Sequence, residues 1–392
     1  MTDPARLAGA AAQTLERLVA FDTTSRRSNL ALIEFCEQRL SACGAALYRV
    51  GNADGSKANL VARIGPELDG GVVLSGHTDV VPVDGQAWNS DPFVVSLRDG
   101  RLYGRGTADM KAFLALALAA APDFAAAGLK RPVQMAFSYD EEIGCLGAPS
   151  LIEAMVRAGP RPSAVIVGEP TNMETVSGHK GIATFKVTVT GKEAHSSLTH
   201  LGVSAIMEAA KLIAALTQVA AELARGADPD SPFTPKGASL TIGQIHGGTA
   251  VNILARECVF IFDLRAPPGV DAREVLQPVF DLARRLDAEL KARAPEAGVR
   301  LEQRSMTPPL SPDPGGAAEA LARRLAGDNG PARVVSYAAE AGQFQQAGYS
   351  TVICGPGSIE QAHQPDEYLE ISQLERGAAF MARLVEHLAA PA

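Results

Sequence analysis

Five short stretches of this chain carry residues able to bind a metal or move a proton. They read SGHTDVVPVDG with His77 and Asp79, GRGTADM with Asp109, FSYDEEIG with Glu141 and Glu142, VGEPT with Glu169, and EQAHQPDE with His363. Two imidazoles and several carboxylates suit borderline divalent cations, and one shared carboxylate could join two of them in a single site. A site of that kind could hold a water molecule beside its cations and acidify it.

Taken singly, each stretch has a simpler explanation. His77-x-Asp79 could be a turn histidine beside an aspartate bonded to local backbone. Asp109 stands before the helix-forming run that starts at Met110, where an N-cap is expected. Glu141 and Glu142 are adjacent, so an extended or turn backbone points them in different directions. One could then face a metal and the other its water, or both could face solvent. Pro170 sets Glu169 in extended backbone, compatible with a plain turn. His363 follows a Gly355-Pro356-Gly357 turn, where a surface histidine is ordinary.

The elements that must position these residues favour the joint reading. Val72 to Ser75, Val133 to Ser138, Ala164 to Val167 and Thr351 to Cys354 are short apolar runs bounded by Gly or Pro. That pattern predicts buried parallel strands. Lys111 to Ala121 and Gly147 to Arg157 have helical length and composition, so strand and helix alternate as in an α/β layer. Ligands of such sheets bind outside the carboxyl ends of the strands, which is where His77, Glu141, Glu142 and Glu169 fall.

The pattern changes after Ser177. Ala183, Phe185, Val187 and Val189 alternate with polar residues, as do Cys258, Phe260, Phe262 and Leu264. Period-two alternation predicts strands with one buried face in an antiparallel sheet. Helices are expected from about Gly202 to Arg225 and from about Ala272 to Arg293. Residues 178–306 therefore read as a β-α-β-β-α-β domain inserted between two parts of a catalytic domain, 1–177 and 307–392. His363 can meet His77 only if the chain leaves the α/β domain and returns.

Composition narrows the setting. With 392 residues the chain can bury a large core. A formal net charge of −8 argues against nucleic acid or an anionic membrane as a partner. The five cysteines are scattered, with no C-x-x-C pair, so neither a disulfide framework nor a thiolate zinc site is expected. No signal peptide or membrane span is read from the sequence, and a soluble cytoplasmic protein is expected.

Together these residues resemble the M20 family of metallo-aminoacylases and exopeptidases. The likeness extends to GKEAHSS around His195 and to GGTAVNILARECVFIFDLR, Gly247 to Arg265. It implies a zinc-exopeptidase-like catalytic domain with a mainly parallel sheet, holding two zinc ions (cobalt is possible), plus an α+β lid or dimerisation domain. By the same resemblance Asp109 bridges the metals, His77 and Glu169 complete one site, and Glu142 and His363 the other. Asp79 would orient His77, and Glu141 would be the general base. His195 would reach the reacting carbonyl, in related enzymes from the opposite subunit of a homodimer. Asn252, Arg265 and Gly355 would contact substrate, although Arg265 could equally pair with Asp263 or Glu257. CGPGSIEQAHQPDEYLE is most similar to members that deacetylate N2-acetyl-L-ornithine, and glutamate at 169 fits that side of the family. The small-molecule partner is thus expected to be an N-acyl amino acid. Succinyl-diaminopimelate, acetylcitrulline and a dipeptide are the alternatives, and a non-catalytic metal-stabilised binding protein is the alternative of another class. Glu340 is a candidate for reading the substrate's amino end.

Overall fold

Apolar runs too short for helices, punctuated by glycine or proline, pair as strands. The computed structural model describes residues 2–391. Its first part runs α1 (Pro4–Val19), α2 (Leu30–Ser41), β1 (Ala46–Gly51), β2 (Ala58–Ile64), β3 (Val72–His77), β4 (Ser96–Arg98), β5 (Arg101–Tyr103), α3 (Ala112–Ala126), β6 (Val133–Ser138), α4 (Ala148–Ala158), β7 (Ala164–Pro170) and β8 (Val176–His179). There follow β9 (Gly181–Thr190), α5 (Ala205–Arg225), β10 (Ser239–Gly247), β11 (Glu257–Ala266), α6 (Ala272–Arg293) and β12 (Gly298–Thr307). The last part is α7 (Ala317–Ala326), β13 (Arg333–Val335), α8 (Ala341–Gln346), β14 (Thr351–Gly355), β15 (Tyr368–Glu370) and α9 (Ile371–Ala389).

Two compact units emerge. One holds the chain up to Gly178 together with Leu310–Val334 and the chain from Ala339 onward; the other holds His179–Pro309 and Val335–Ala338. The first unit is built on an eight-stranded sheet in the order β1-β2-β6-β3-β7-β14-β8-β13. Its four central strands, β6, β3, β7 and β14, are parallel, as their unbroken apolar sequences require. The flanks are antiparallel: β2 against β6, β1 against β2 and β8 against β14. The sheet is therefore mixed, with a parallel centre. Helix α3 is apolar all round and buried from Ala112 to Ala121, packed against α1 and α9.

The second unit has the expected β-α-β-β-α-β order, in an antiparallel sheet β10-β11-β9-β12. Ala183, Phe185, Val187 and Val189 of β9 and Cys258, Phe260, Phe262 and Leu264 of β11 all face its core. Phe185 stacks on Phe262 with ring centroids 5.4 Å apart. Each such buried phenylalanine contributes about 1.5–3 kcal/mol through the apolar area it removes from water. Helix α5 begins three residues later than the sequence suggests. Val203 is still held in a bridge to Lys192, and the Ser204 side chain caps the first turn.

Gly355 was expected to contact substrate, and the strands give it a different reason to be glycine. A Cβ there would lie 2.0 Å from the Gly168 carbonyl oxygen on the neighbouring strand. Its N–H donates to Thr171 Oγ1 (3.2 Å), and its carbonyl accepts from the N–H groups of Met173 (2.8 Å) and Thr171 (3.2 Å). Both backbone groups are thus used within the chain. Gly355→Ala should lower stability by about 3 kcal/mol, the upper range for overpacking a rigid core. Chemical denaturation checks this, and an unchanged midpoint would refute the packing argument.

Candidate metal centre

The parallel strands put the candidate residues on one edge of the sheet. His77 closes β3, in register with Ser138 at the end of β6, and the turn after β6 carries Glu141 and Glu142. Glu169 lies near the end of β7, and His363 in the loop after β14. Asp109 comes from the Thr107–Lys111 turn that precedes α3. It is not the helix N-cap: Lys111 precedes the first helical residue, and Asp109 has extended dihedrals (φ −120°, ψ 93°). Its side chain is free to turn toward the sheet.

There Asp109 lies between the two imidazoles. Its Oδ1 is 3.0 Å from His77 Nε2 and its Oδ2 is 3.3 Å from His363 Nε2. His363 Nε2 is also 3.0 Å from Glu142 Oε2, and His77 Nε2 is 3.9 Å from Glu169 Oε1. Potential donor atoms of His77, Glu141 and Glu169 lie within 4.8 Å of one another, as do those of His77, Asp109 and Glu142. One carboxylate with an oxygen toward each histidine is the arrangement a shared ligand needs.

Asp79 does more than the sequence suggests, and with different atoms. His77 Nδ1 donates to the Asp79 backbone carbonyl at 2.9 Å, while the nearest Asp79 carboxylate oxygen is 3.7 Å away. The backbone thus fixes the tautomer that leaves Nε2 facing Asp109. The Asp79 carboxylate accepts instead from the N–H groups of Glu141 (3.0 Å) and Glu142 (3.2 Å), and from Ser25 Oγ (2.7 Å). It holds the turn that presents the acidic pair.

Crowding this many acids below the surface shifts their protonation. Burial pushes Glu141 up to about 8; the charge of His77 opposes this, and repulsion from Glu142 and Asp109 adds to it. Burial and then Asp109 push Glu142 up to about 7, and the same causes hold Glu169 well above the carboxylate range. Burial would also lower His77, but its bond to Asp109 and the charge of Glu169 outweigh this and hold it high. Bonds to Asp109 and Glu142 raise His363 to about 10. Burial opposes ionisation of Asp109, yet its bonds to His363 and His77 keep it below the usual range. Among the described residues, Glu169 Oε1 is buried without a hydrogen-bond partner. An unpaired buried carboxylate oxygen is costly, and a cation is its natural complement. The donor set fits divalent metal.

A family model described as Peptidase family M20/M25/M40 matches residues 73–387. The chain belongs to peptidase family M20/M25/M40. Among M20/M25/M40 relatives, an acetylornithine deacetylase of Myxococcus xanthus is 38% identical over 380 residues, covering 95% of this chain and 96% of that protein. An acetylornithine deacetylase of Proteus mirabilis (strain HI4320) is 34% identical, covering 94% of this chain and 92% of its own length. A tripeptidase from Staphylococcus aureus has the same fold, with a TM-score of 0.73 at 24% identity and 99% of both chains covered.

Other M20/M25/M40 candidates have partners of their own. Arg265 Nε bonds Asp263 Oδ2 at 2.9 Å, so the sheet-surface pair is formed. His195 is exposed, with Nδ1 2.8 Å from Ser197 Oγ, and Asn252 is exposed in the β10–β11 connection. Glu340 does not face outward to read an amine. It is 1% exposed, and its oxygens accept from the hydroxyls of Ser138 and Ser75, the latter at 3.4 Å. Sequence reasoning gave no role to Arg105 and Glu367, a buried pair at 2.7 Å beside Asp109. Both stood in quoted stretches, in GRG and in QPDE, and the second acid of QPDE was the available signal.

Glu141, Glu142 and Glu169 take up protons on folding. Their stabilisation is full below the ordinary carboxylate range and is lost as pH climbs through about 7 for Glu142 and about 8 for Glu141. The raised His77 and His363 act in the same sense and outnumber the opposing Asp109, held low by the two imidazoles, and Lys111, pushed down to about 7 by burial, whose contributions acid removes. Chelator-treated protein should therefore melt lower near pH ~9 than near pH ~6. Zinc, which competes with these protons, should raise the melting temperature more at the higher pH. A chelated melting temperature that rises over this range would contradict the charge assignment.

Proposed function

We propose that this M20/M25/M40 member hydrolyses the acetamide of N2-acetyl-L-ornithine to L-ornithine and acetate, a step of arginine biosynthesis. The substrate rests on the acetylornithine deacetylases it resembles at 34–38% identity over more than nine-tenths of their lengths. The reaction type rests on one observation: Asp109 faces both imidazoles, with the part-buried Glu141 and Glu142 beside it. We assign His77 and Glu169 to one divalent cation, Glu142 and His363 to a second, and Asp109 to both. Zinc is favoured, with cobalt suited to the same nitrogen and oxygen donors. When bound, these ions supply Lewis acidity that polarises an amide carbonyl and brings a water pKa toward ~7.

Glu141 is the proton carrier. One oxygen, Oε1, accepts from the Cys145 thiol at 3.1 Å, which leaves Oε2 to take the proton of the attacking water. Burial raises its pKa in the metal-free chain, and beside two cations it would fall again, leaving a carboxylate able to take a proton and return it to the departing amine. Asp79 keeps this carboxylate in place through the backbone N–H of Glu141. His195, Asn252 and Arg265 are assigned to the substrate on family resemblance alone.

Glu141→Gln should retain bound zinc while kcat falls by about 10²–10⁴; a variant keeping most of its rate would remove Glu141 as base. Comparing kcat/KM of the zinc-loaded wild type on acetylornithine, succinyl-diaminopimelate, acetylcitrulline and a dipeptide tests the substrate. Preference for any but the first overturns that assignment and leaves the chemistry standing.

We further propose a homodimer formed through the second unit. Leu201, Ile206, Met207, Ile245, Val251 and Ile253 are all exposed there, and β10 is a sheet edge. Ile206 lies beside Gly248, which places the start of α5 against the β10–β11 connection. Met207→Lys with Ile245→Glu should halve the mass seen by light scattering; an unchanged mass would exclude this face. Among the described residues no helix is long and apolar enough to cross a membrane. The five cysteines form no disulfide, which supports a reducing, cytoplasmic setting.

A further inference from the structure

We propose that the buried Glu367–Arg105 pair is a positioning device for one of the two cation sites, the one assigned to Glu142 and His363. This rests on the two-cation reading above. Glu367 is 1% exposed and its carboxylate collects four donors. Arg105 Nη1 lies at 2.7 Å and the backbone N–H groups of Gly106, Ala108 and Asp109 at 3.0, 2.8 and 3.1 Å. Gly106 has φ +82°, and this left-handed turn lets successive N–H groups converge on one anion. The backbone of Asp109 is thus pinned from beneath by a carboxylate that never touches the ligand atoms.

Arg105 carries the same fixation to the other loop. Its Nη2 donates to Gln86 Oε1 at 2.5 Å and its Nη1 to the Gln364 carbonyl at 3.3 Å, with the guanidinium 5.1 Å from the Trp88 ring centre. Gln86 Nε2 then donates to the His363 carbonyl at 2.8 Å. A continuous set of hydrogen bonds therefore runs from the Asp109 amide to the His363 carbonyl. His77 and Glu169 lie outside it, because both belong to strands of the parallel centre. Loss of the pair should loosen the spacing between Asp109 and His363 and leave the His77–Glu169 side in place.

Removing one partner of a buried ion pair destabilises a fold whatever else the pair does, so melting does not discriminate. The discriminating measurement is zinc titration of the full chain against a competing chelator, comparing wild type with Glu367→Gln. Wild type should bind in two steps. In the variant one step should weaken by about tenfold or more, the usual effect of losing a group that orients metal ligands, and the other, which shares only Asp109 with the disturbed loops, should weaken by clearly less. Equal weakening of both steps, or of neither, overturns the proposal while leaving two cations in place. A single step in wild type removes the two-cation reading and this proposal with it. Gln86→Ala leaves the Arg105–Glu367 bond intact and removes the Gln86 side-chain bonds to the His363 carbonyl, Arg105 and Trp88, so it cuts the link between the pair and His363 and decides the matter if Glu367→Gln does not fold. It should weaken the same single step several-fold, and two unchanged steps would again overturn the assignment.

Discussion

Asp109 reaching both His77 and His363 is the contact on which the other features of the sheet edge depend. A carboxylate can face two imidazoles only if the three groups come from separate segments, since neighbours along one chain diverge. The end of β3 and the turn before α3 supply two of them, and the loop after β14 supplies the third. The cost is a concentration of like charge. Glu141, Glu142 and Glu169 sit close enough to Asp109 that burial and repulsion drive all three toward the neutral acid. That frustration suits a protein whose folded state is completed by cations.

Two further acids, neither with its carboxylate hydrogen-bonded to a histidine ring, keep this arrangement rigid. Asp79 gathers the amides of Glu141 and Glu142, and Glu367 gathers those of Gly106, Ala108 and Asp109. Each uses backbone donors, so the side chains they position stay free for other chemistry. In the proposed assignment the strand-end set carries the hydrolysis, and selection among amides falls to other residues.

Much of the layout is legible in the chain itself. The four central strands announce themselves as apolar runs cut by glycine or proline, and β9 and β11 by strict alternation. The antiparallel flanks do not: β1 is largely exposed and β13 has only three residues, so neither carries a usable pattern. Long-range hydrogen bonding leaves still less trace. Nothing local tells that the Asp79 carboxylate serves the turn after β6, or that Glu340 is held by two serine hydroxyls from neighbouring strands. Gly355 shows the limit from the other side, since a glycine expected at a ligand is required by the carbonyl of Gly168 next to it. Sequence suggests which groups are reactive, and only tertiary packing decides which of them face one another.

The sheet order has a bearing on how the protein comes to exist. β7 and β8 follow closely in the chain, yet β14 lies between them in the sheet. Until the ribosome has released that distant strand, β7 presents an open parallel edge of Val165, Ile166 and Val167. Such an edge is adhesive and closes late, because contacts of large sequence separation form slowly. His363, only a few residues past β14, arrives with the strand that seals it. Nascent chains would thus complete their hydrophobic sheet and their full set of imidazoles in the same late event.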